Sequence, residues 1–275
     1  MTTAAATRPL ASPTTAGSVL SRMRGLGPAL FGMAVFLGLW EAYIRLTNTP
    51  AFVVPAPSRI AVRLWEELPS YAYEFSYTLA AAAIGLVIGT TVGIVGAVLM
   101  ANWRTLEKSL FPLAVILKLV PFVAIAPLLR IWLGYELQPK IVLASLITFF
   151  PVLVNCITGL RSADPLALEF FQSVGASRWE ILTRLRWMTT LPYLYAALKV
   201  NVNLALAGAI VGELFSSKNG IGKVINDTAL TLDIPAMFAA IVFLAITGVA
   251  ITLFMNWSER RVLYWHESMR TVGTR

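Results

Sequence analysis

From Phe75 to Trp103 the chain runs without a single charged residue. That is longer than the roughly 20 apolar residues a helix needs to cross a bilayer, and such a run cannot lie on a water-facing surface. Five further apolar runs stand out, at about 27–46, 109–129, 141–160, 190–213 and 234–257. None alternates every second residue as a barrel strand would, and within lipid a backbone can satisfy its own polar groups only as a helix or a closed barrel. The reading is an all-α polytopic membrane protein with about six transmembrane helices. Composition agrees: 57% of residues are hydrophobic and 13% charged, against roughly a quarter charged in soluble domains.

Residue counts exclude several functions. Cys156 is the sole cysteine and His266 the sole histidine, so an internal disulfide, a zinc site or a catalytic triad lacks material. The formal charge of +8 shows no basic stripe interleaved with aromatics, so it does not indicate nucleic acid. Loop charges explain it better. Arg104, Lys108, Arg161, Arg178, Arg184, Arg186, Arg260 and Arg261, with Arg8, Arg22, Arg24, Arg270 and Arg275 near the ends, outnumber the cations of the opposite loops. The positive-inside rule then places both termini in the cytoplasm.

Inside the spans, polar groups are costly and need a reason. Lys118 is expected to face an internal cavity or to meet a carboxylate, and Lys199 to snorkel towards the cytoplasm. Glu213, ending the fifth run, reads equally as a path-lining group or as a helix-end charge. Asn155, Asn201 and Asn203 suit interhelical bonds or a polar path, and Phe149 and Phe150 suit packing or cavity walls. Gly85, Gly89 and Gly93 recur every four residues and offer one face for close helix approach, within this chain or across a dimer seam. Pro112, Pro121 and Pro127 are expected to kink or break the third span.

The loop between the fourth and fifth runs carries its own order. Asp164 and Pro165 can cap and open a helix. Gly175 is expected to end it, and Ala176 and Ser177 to begin a second short amphipathic helix. Pattern alone allows an interfacial helix on lipid or a docking element.

This segment resembles the cytoplasmic EAA loop of binding-protein-dependent ABC importer permeases. Glu169 and Gly175 stand at that pattern's separation, and GASRW opens the second helix as it does there. Phe170 and Phe171 replace the pattern's alanines, and Trp187-Met188 replaces a first Leu-Pro, while Leu191-Pro192 keeps the second. Three other stretches are similar in order: VVPAPSRI at 53–60, KLVPFVAIAPLLRIWLG at 118–134, and KIVLASLITFFPVLVN at 140–155. Residues 191–225 resemble the sulfonate, nitrate, taurine and thiamine-pyrimidine branch. A disordered tail is expected at 1–24 from the Thr-, Ala-, Ser- and Pro-rich composition of residues 1–21; the resemblance implies a transmembrane domain at 25–260 with its coupling loop at 162–190, and a cytoplasmic tail at 261–275. It also implies coupling residues Asp164, Glu169, Phe170, Gly175, Ala176 and Ser177, and Glu213 matches a glutamate that ends the fifth span in that family; with Lys118, Phe149, Phe150 and Asn155, chosen as polar or aromatic groups within spans, it makes up the path candidates.

The implied setting is a bacterial inner membrane, with lipid around the spans. The implied partners are an ABC ATPase subunit, a solute-binding protein and a second permease copy as a homodimer. The implied cargo is a small polar solute, either a vitamin-related heterocycle such as riboflavin or a thiamine pyrimidine precursor, or a sulfonate, taurine or nitrate. ATP and Mg2+ belong on the partner. Gly220-Ile221-Gly222-Lys223 is not a phosphate-binding loop, because Ser217 occupies the first glycine position and Val224 follows the lysine; it reads as a turn in an outer loop. An ion-coupled secondary transporter is the alternative, although the sequence lacks the internal repeat such carriers usually carry.

Overall fold

The computed structural model describes the backbone from Thr15 to Leu263 except Ser216, with side chains from Gly27 onward. The chain folds into helices α1 (Thr15–Thr47), α2 (Pro57–Glu66), α3 (Leu68–Asn102), α4 (Arg104–Leu119), α5 (Phe122–Leu133), α6 (Gln138–Arg161), α7 (Pro165–Ser173), α8 (Arg178–Glu180), a π-helical segment (Ile181–Arg186), α9 (Trp187–Leu214), α10 (Ile221–Leu230) and α11 (Ile234–Val262). Residues 15–24, expected as a disordered tail, continue α1. From Ser18 to Arg24 no proline or glycine interrupts the helix. The remainder of that tail, and the C-terminal tail after Leu263, lie outside the described residues.

Helix α6 is the centre of the bundle, and glycines set how closely its neighbours approach. A Cβ on Gly85, Gly89 or Gly93 of α3 would meet Ala144, Thr148 or Val152 of α6 at under 3 Å. The four-residue glycine row is therefore an internal seam. On the other side of α6, Gly208 and Gly212 of α9 lie against Ala144 and Lys140, and Gly159 of α6 lies against Thr190. Leu143, Ala144, Val152, Leu153 and Cys156 are consequently sealed from solvent.

These contacts fix the topology. Along the α3–α6 seam both sequence numbers rise together, so the two helices run parallel. The chain between them must cross back to the starting side, and α4 with α5 makes that crossing. This pair bends by 95° at Val120 and Pro121; Pro112 and Pro127 sit inside α4 and α5 without ending them. Along the α6–α9 seam the numbers run in opposite senses, from Gly159–Thr190 to Lys140–Gly212, so these helices are antiparallel. At one end of the bundle Tyr71 Oη donates to the Ala236 carbonyl at 3.1 Å, and at the other Lys199 meets Glu259. With α1 and α11, the bundle makes six crossings, and α11 ends on the side that carries the α6–α8 loop.

The fifth span is longer than its apolar run. No glycine or proline stands between Ser177 and Pro192, so the expected second short helix runs straight into the membrane. Arg178–Leu214 forms one rod of 37 residues, about 55 Å at 1.5 Å per residue. The hydrocarbon core is only about 30 Å thick, so the rod's charged N-terminal portion projects beyond it.

Candidate functional site

At the loop end, α7 stands apart from the bundle with none of its residues buried. Its start and stop are chemically specified. The Asp164 carboxylate accepts from the Leu166 amide at 3.0 Å, and Pro165 occupies the first helical position, where its missing N–H costs nothing. At the other end, the Gly175 amide donates to the Gln172 carbonyl and the Ala176 amide to the Phe171 carbonyl, both at 3.0 Å. That pair of bonds is a Schellman closure, which requires a left-handed residue; Gly175 supplies it with φ of 75°. Two residues on, Ser177 and Glu180 form a reciprocal capping box that starts the rod. The hinge between helix and rod is thus only Val174 to Ala176.

The exposed face of α7 is apolar. Leu166, Phe170 and Val174, spaced by four, are 73%, 63% and 63% exposed, and Trp179 beyond the hinge is 70% exposed. Phe170 and Phe171 pack edge to face, with centroids 6.3 Å apart. Glu169 is also exposed on this helix. An ordered helix with an uncovered apolar stripe and no core of its own is the form of an element that docks into a groove. The rod behind it opens with α8 and continues as the π-helical segment, against which α7 rests, and Thr189 Oγ1 donates to the Gly159 carbonyl at 3.2 Å.

The path candidates separate into three settings. Lys118 is exposed near the end of α4, and its Nζ lies 4.9 Å from the centroid of Phe150, a cation–π contact. Phe111, two turns earlier on α4, packs on the same ring at 6.4 Å. Phe149 points elsewhere, into an apolar groove of about 380 Å³ shared with Ile88, Val92 and Leu117. Asn155 is half-buried and donates to the Pro151 carbonyl at 2.8 Å.

Glu213 lies in the third setting, fully buried at the end opposite the loop. Its carboxylate is 3.4 Å from Lys140 Nζ, accepts from Thr78 Oγ1 at 2.9 Å and from the Gly222 amide at 2.8 Å. Lys140 also donates to the Asn219 carbonyl, and Glu74 accepts from the Gly220 amide at 2.6 Å. Gly220, with φ of 124°, turns the chain into α10, so the GIGK stretch starts a short helix rather than forming a mere turn. Side chains at 220 or 222 would collide with Glu213. This knot ties α3, α6, α9 and α10 together, and it presents no carboxylate surface to a solute. In the sequence Lys140 only precedes the apolar run at 141–160, with no sign of a partner. The shared location of Lys140, Glu213 and Thr78 comes from the α3–α6–α9 packing, which no spacing reveals.

Several other polar groups became pairs. Lys199 meets Glu259 at 2.6 Å near the loop end, Asn203 donates to Thr252 at 3.0 Å, and buried Asn201 donates to the Thr148 carbonyl at 2.8 Å. Each joins α9 to a neighbour. Helix α2, absent from the sequence reading, tethers to α11 through Arg63 and Asp233 at 2.6 Å. Its signals were proline at the first position and a strongly amphipathic pattern, with Ile60 and Leu64 four residues apart on the face packed inward. Lys218, between α9 and α10, hydrogen-bonds Glu136 in the loop before α6 and holds its carboxyl below the usual carboxylate range.

Six crossings and a capped, exposed helix at one end define a polytopic helical membrane protein. The chain belongs to the family of binding-protein-dependent transport system inner membrane components, whose profile matches residues 89–264, and so to the permeases of ABC importers. It is 32% identical over 247 residues to the riboflavin transport system permease protein RibX of Chloroflexus aurantiacus, covering 89% of this chain and 91% of that one. Over 245 residues it is 31% identical to the formylaminopyrimidine transport permease protein ThiX of Halalkalibacterium halodurans, covering 89% and 97%. Among solved structures, a bacterial ABC transporter for alginate import aligns with a TM-score of 0.60 at 18% identity, over 90% of this chain and 98% of that one. The inward-facing MetNI methionine ABC transporter aligns at 0.57 and 20% identity, over 72% and 96%. These two alignments support the fold.

Proposed function

We propose that two copies of this chain form the translocation path of an importer, each docking one ATPase subunit through α7, with a separate solute-binding protein delivering cargo at the opposite face. The observation that carries this reading is the uncovered Leu166–Phe170–Val174 stripe on a helix capped at both ends. An element ordered before it binds loses little entropy on docking. ATP and Mg2+ act on the partner, whose closure pushes on α7. The push passes through the short hinge into the rod, which reaches the Glu213 knot at the far side. A rigid element spanning both faces is how a small displacement at one site becomes a change of access at the other. Loop and termini lie in the cytoplasm of a bacterial inner membrane on this reading, consistent with the Lys and Arg bias.

For the cargo we favour a small vitamin-related heterocycle. The RibX and ThiX relatives exceed 30% identity, whereas the relatives named for aliphatic sulfonates and taurine stand at 27% and 24%. Lys118 and Phe150 are retained as path-lining candidates suited to a planar polar ring, and Asn155 as a further candidate on α6. Phe149 and Glu213 carry packing roles in this reading.

Two measurements test it. Phe170→Asp changes an exposed side chain, so the protein should insert and fold normally, yet recover at least tenfold less ATPase on co-purification. Recovery equal to wild type, with uptake intact, removes α7 as the docking element. Binding of riboflavin, a formylaminopyrimidine and taurine to the partner binding protein decides the cargo class; tight binding of taurine alone overturns the heterocycle reading.

A further inference from the structure

One cavity among the described residues is separate from the path candidates' polar contacts and from the α7 stripe. It has about 630 Å³ and lies where α3 ends and α4 begins, at the loop end of the bundle. Its walls are divided by chemistry. Arg104, Lys108 and Arg161 line one part with Glu107, and Met100 and Phe111 line the other. Arg161 and Glu107 pair at 2.6 Å and Arg104 also acts on that carboxylate, so Arg104, Lys108 and Arg161 face a single Glu107 and leave the cavity lining with an excess of positive charge. Arg104 and Lys108 are both exposed. Trp103, between the two helices, is 57% exposed, as fits an indole at the headgroup level of a membrane. Further along α4, Val115 and Leu119 follow Lys108 and Pro112 at helical spacing on the cavity's face, Val115 half-buried and Leu119 74% exposed, giving an apolar track towards the bilayer centre.

We infer that this cavity is a binding site for an anionic phospholipid, with the phosphate held by Arg104 and Lys108 and the acyl chains laid along α4. A cavity that is cationic at the interface and apolar towards the membrane interior matches an amphiphile with a negative head. Basic pockets between helices at a membrane face take such headgroups by charge, while the chains supply apolar burial. A free phosphate would use only the cationic wall. The site has a position of consequence, because Arg161 ends α6 and Asp164, which caps α7, follows three residues later. An anion against this wall steadies the anchor from which the α7 loop departs. The assignment requires only the membrane topology, and co-purification of the ATPase from the same preparation reports separately on the docking role.

The test uses the full-length chain, purified as the complex it forms and placed in phosphatidylcholine nanodiscs. Phosphatidylglycerol is titrated in and bound lipid counted by native mass spectrometry. Wild type should retain phosphatidylglycerol in preference to phosphatidylcholine, and Arg104→Gln with Lys108→Gln should weaken that retention about tenfold. Arg260→Gln with Arg261→Gln removes the same charge from the loop end of α11 and should leave retention unchanged. Equal retention of the two lipids, or equal loss in both double variants, overturns the site. Competition by millimolar glycerol phosphate to the same extent as by lipid overturns the amphiphile and leaves a phosphate site. Should the cavity variant misfold, Lys108→Gln alone must still show reduced selectivity for the inference to stand.

Discussion

At the scale of single residues, the bundle depends on a few positions where size or charge permits no substitute. Thr148 Oγ1 would stand 2.2 Å from a Cβ at Gly89, with the Ser145 carbonyl at 2.6 Å. Gly89→Ala therefore has to separate α3 from α6 and should cost about 1–3 kcal/mol as an overpacked seam. Gly96 differs, since a Cβ there meets only the Leu153 Cδ1 methyl at 3.2 Å, the movable end of a side chain. Gly96→Ala should be close to neutral, and unfolding midpoints of the two variants in detergent check the contrast. The Lys140–Glu213 pair makes a second demand. Lys140→Met strands a buried carboxylate and should destabilise by about 3–5 kcal/mol, whereas adding Glu213→Gln should restore most of that loss, because removing both charges removes the desolvation cost. Both residues were visible as polar groups at span ends. Their partnership was not, because positions 140 and 213 meet only once α6 and α9 are packed.

At the scale of elements, α7 was almost fully legible. Asp164, Pro165 and Gly175 announce its boundaries through local hydrogen bonds, which do not depend on the rest of the chain. The rod was misjudged in length, since hydropathy marks only the part inside lipid while helix formation continues to the next breaker, at Ala176 and Ser177. Gly175→Val tests the hinge. A β-branched residue at φ of 75° is strained by about 1–2 kcal/mol, so the Schellman closure should open and α7 lose its fixed angle to the rod. The expected result is a folded, membrane-inserted protein with lowered ATPase association and lowered uptake in vesicles. Unchanged association would show that the hinge angle has no part in coupling. Glu169→Lys should lower uptake of competing solutes by similar factors, because α7 is remote from the path candidates; a shift in preference between solutes would argue against a purely coupling role.

At the scale of the whole molecule, the parallel course of α3 and α6 decides the number of crossings. It turns the bent α4–α5 pair from a possible re-entrant loop into a passage across the membrane. Reporter fusions after residues 105 and 175 should read cytoplasmic and those after 65, 136 and 222 external; a shared side for 105 and 136 would refute the crossing. The sequence by itself determined the solvent, the helical class, the approximate spans and the capped loop. Each of these follows from hydropathy or from bonds between near neighbours in the chain. Tertiary structure alone decided which glycine row meets which helix, that Glu213 closes a buried knot, that Lys118 lies over Phe150, and that Arg104, Lys108 and Arg161 share one cavity. Those facts depend on the relative positions of helices far apart in sequence, which packing sets and residue spacing does not encode.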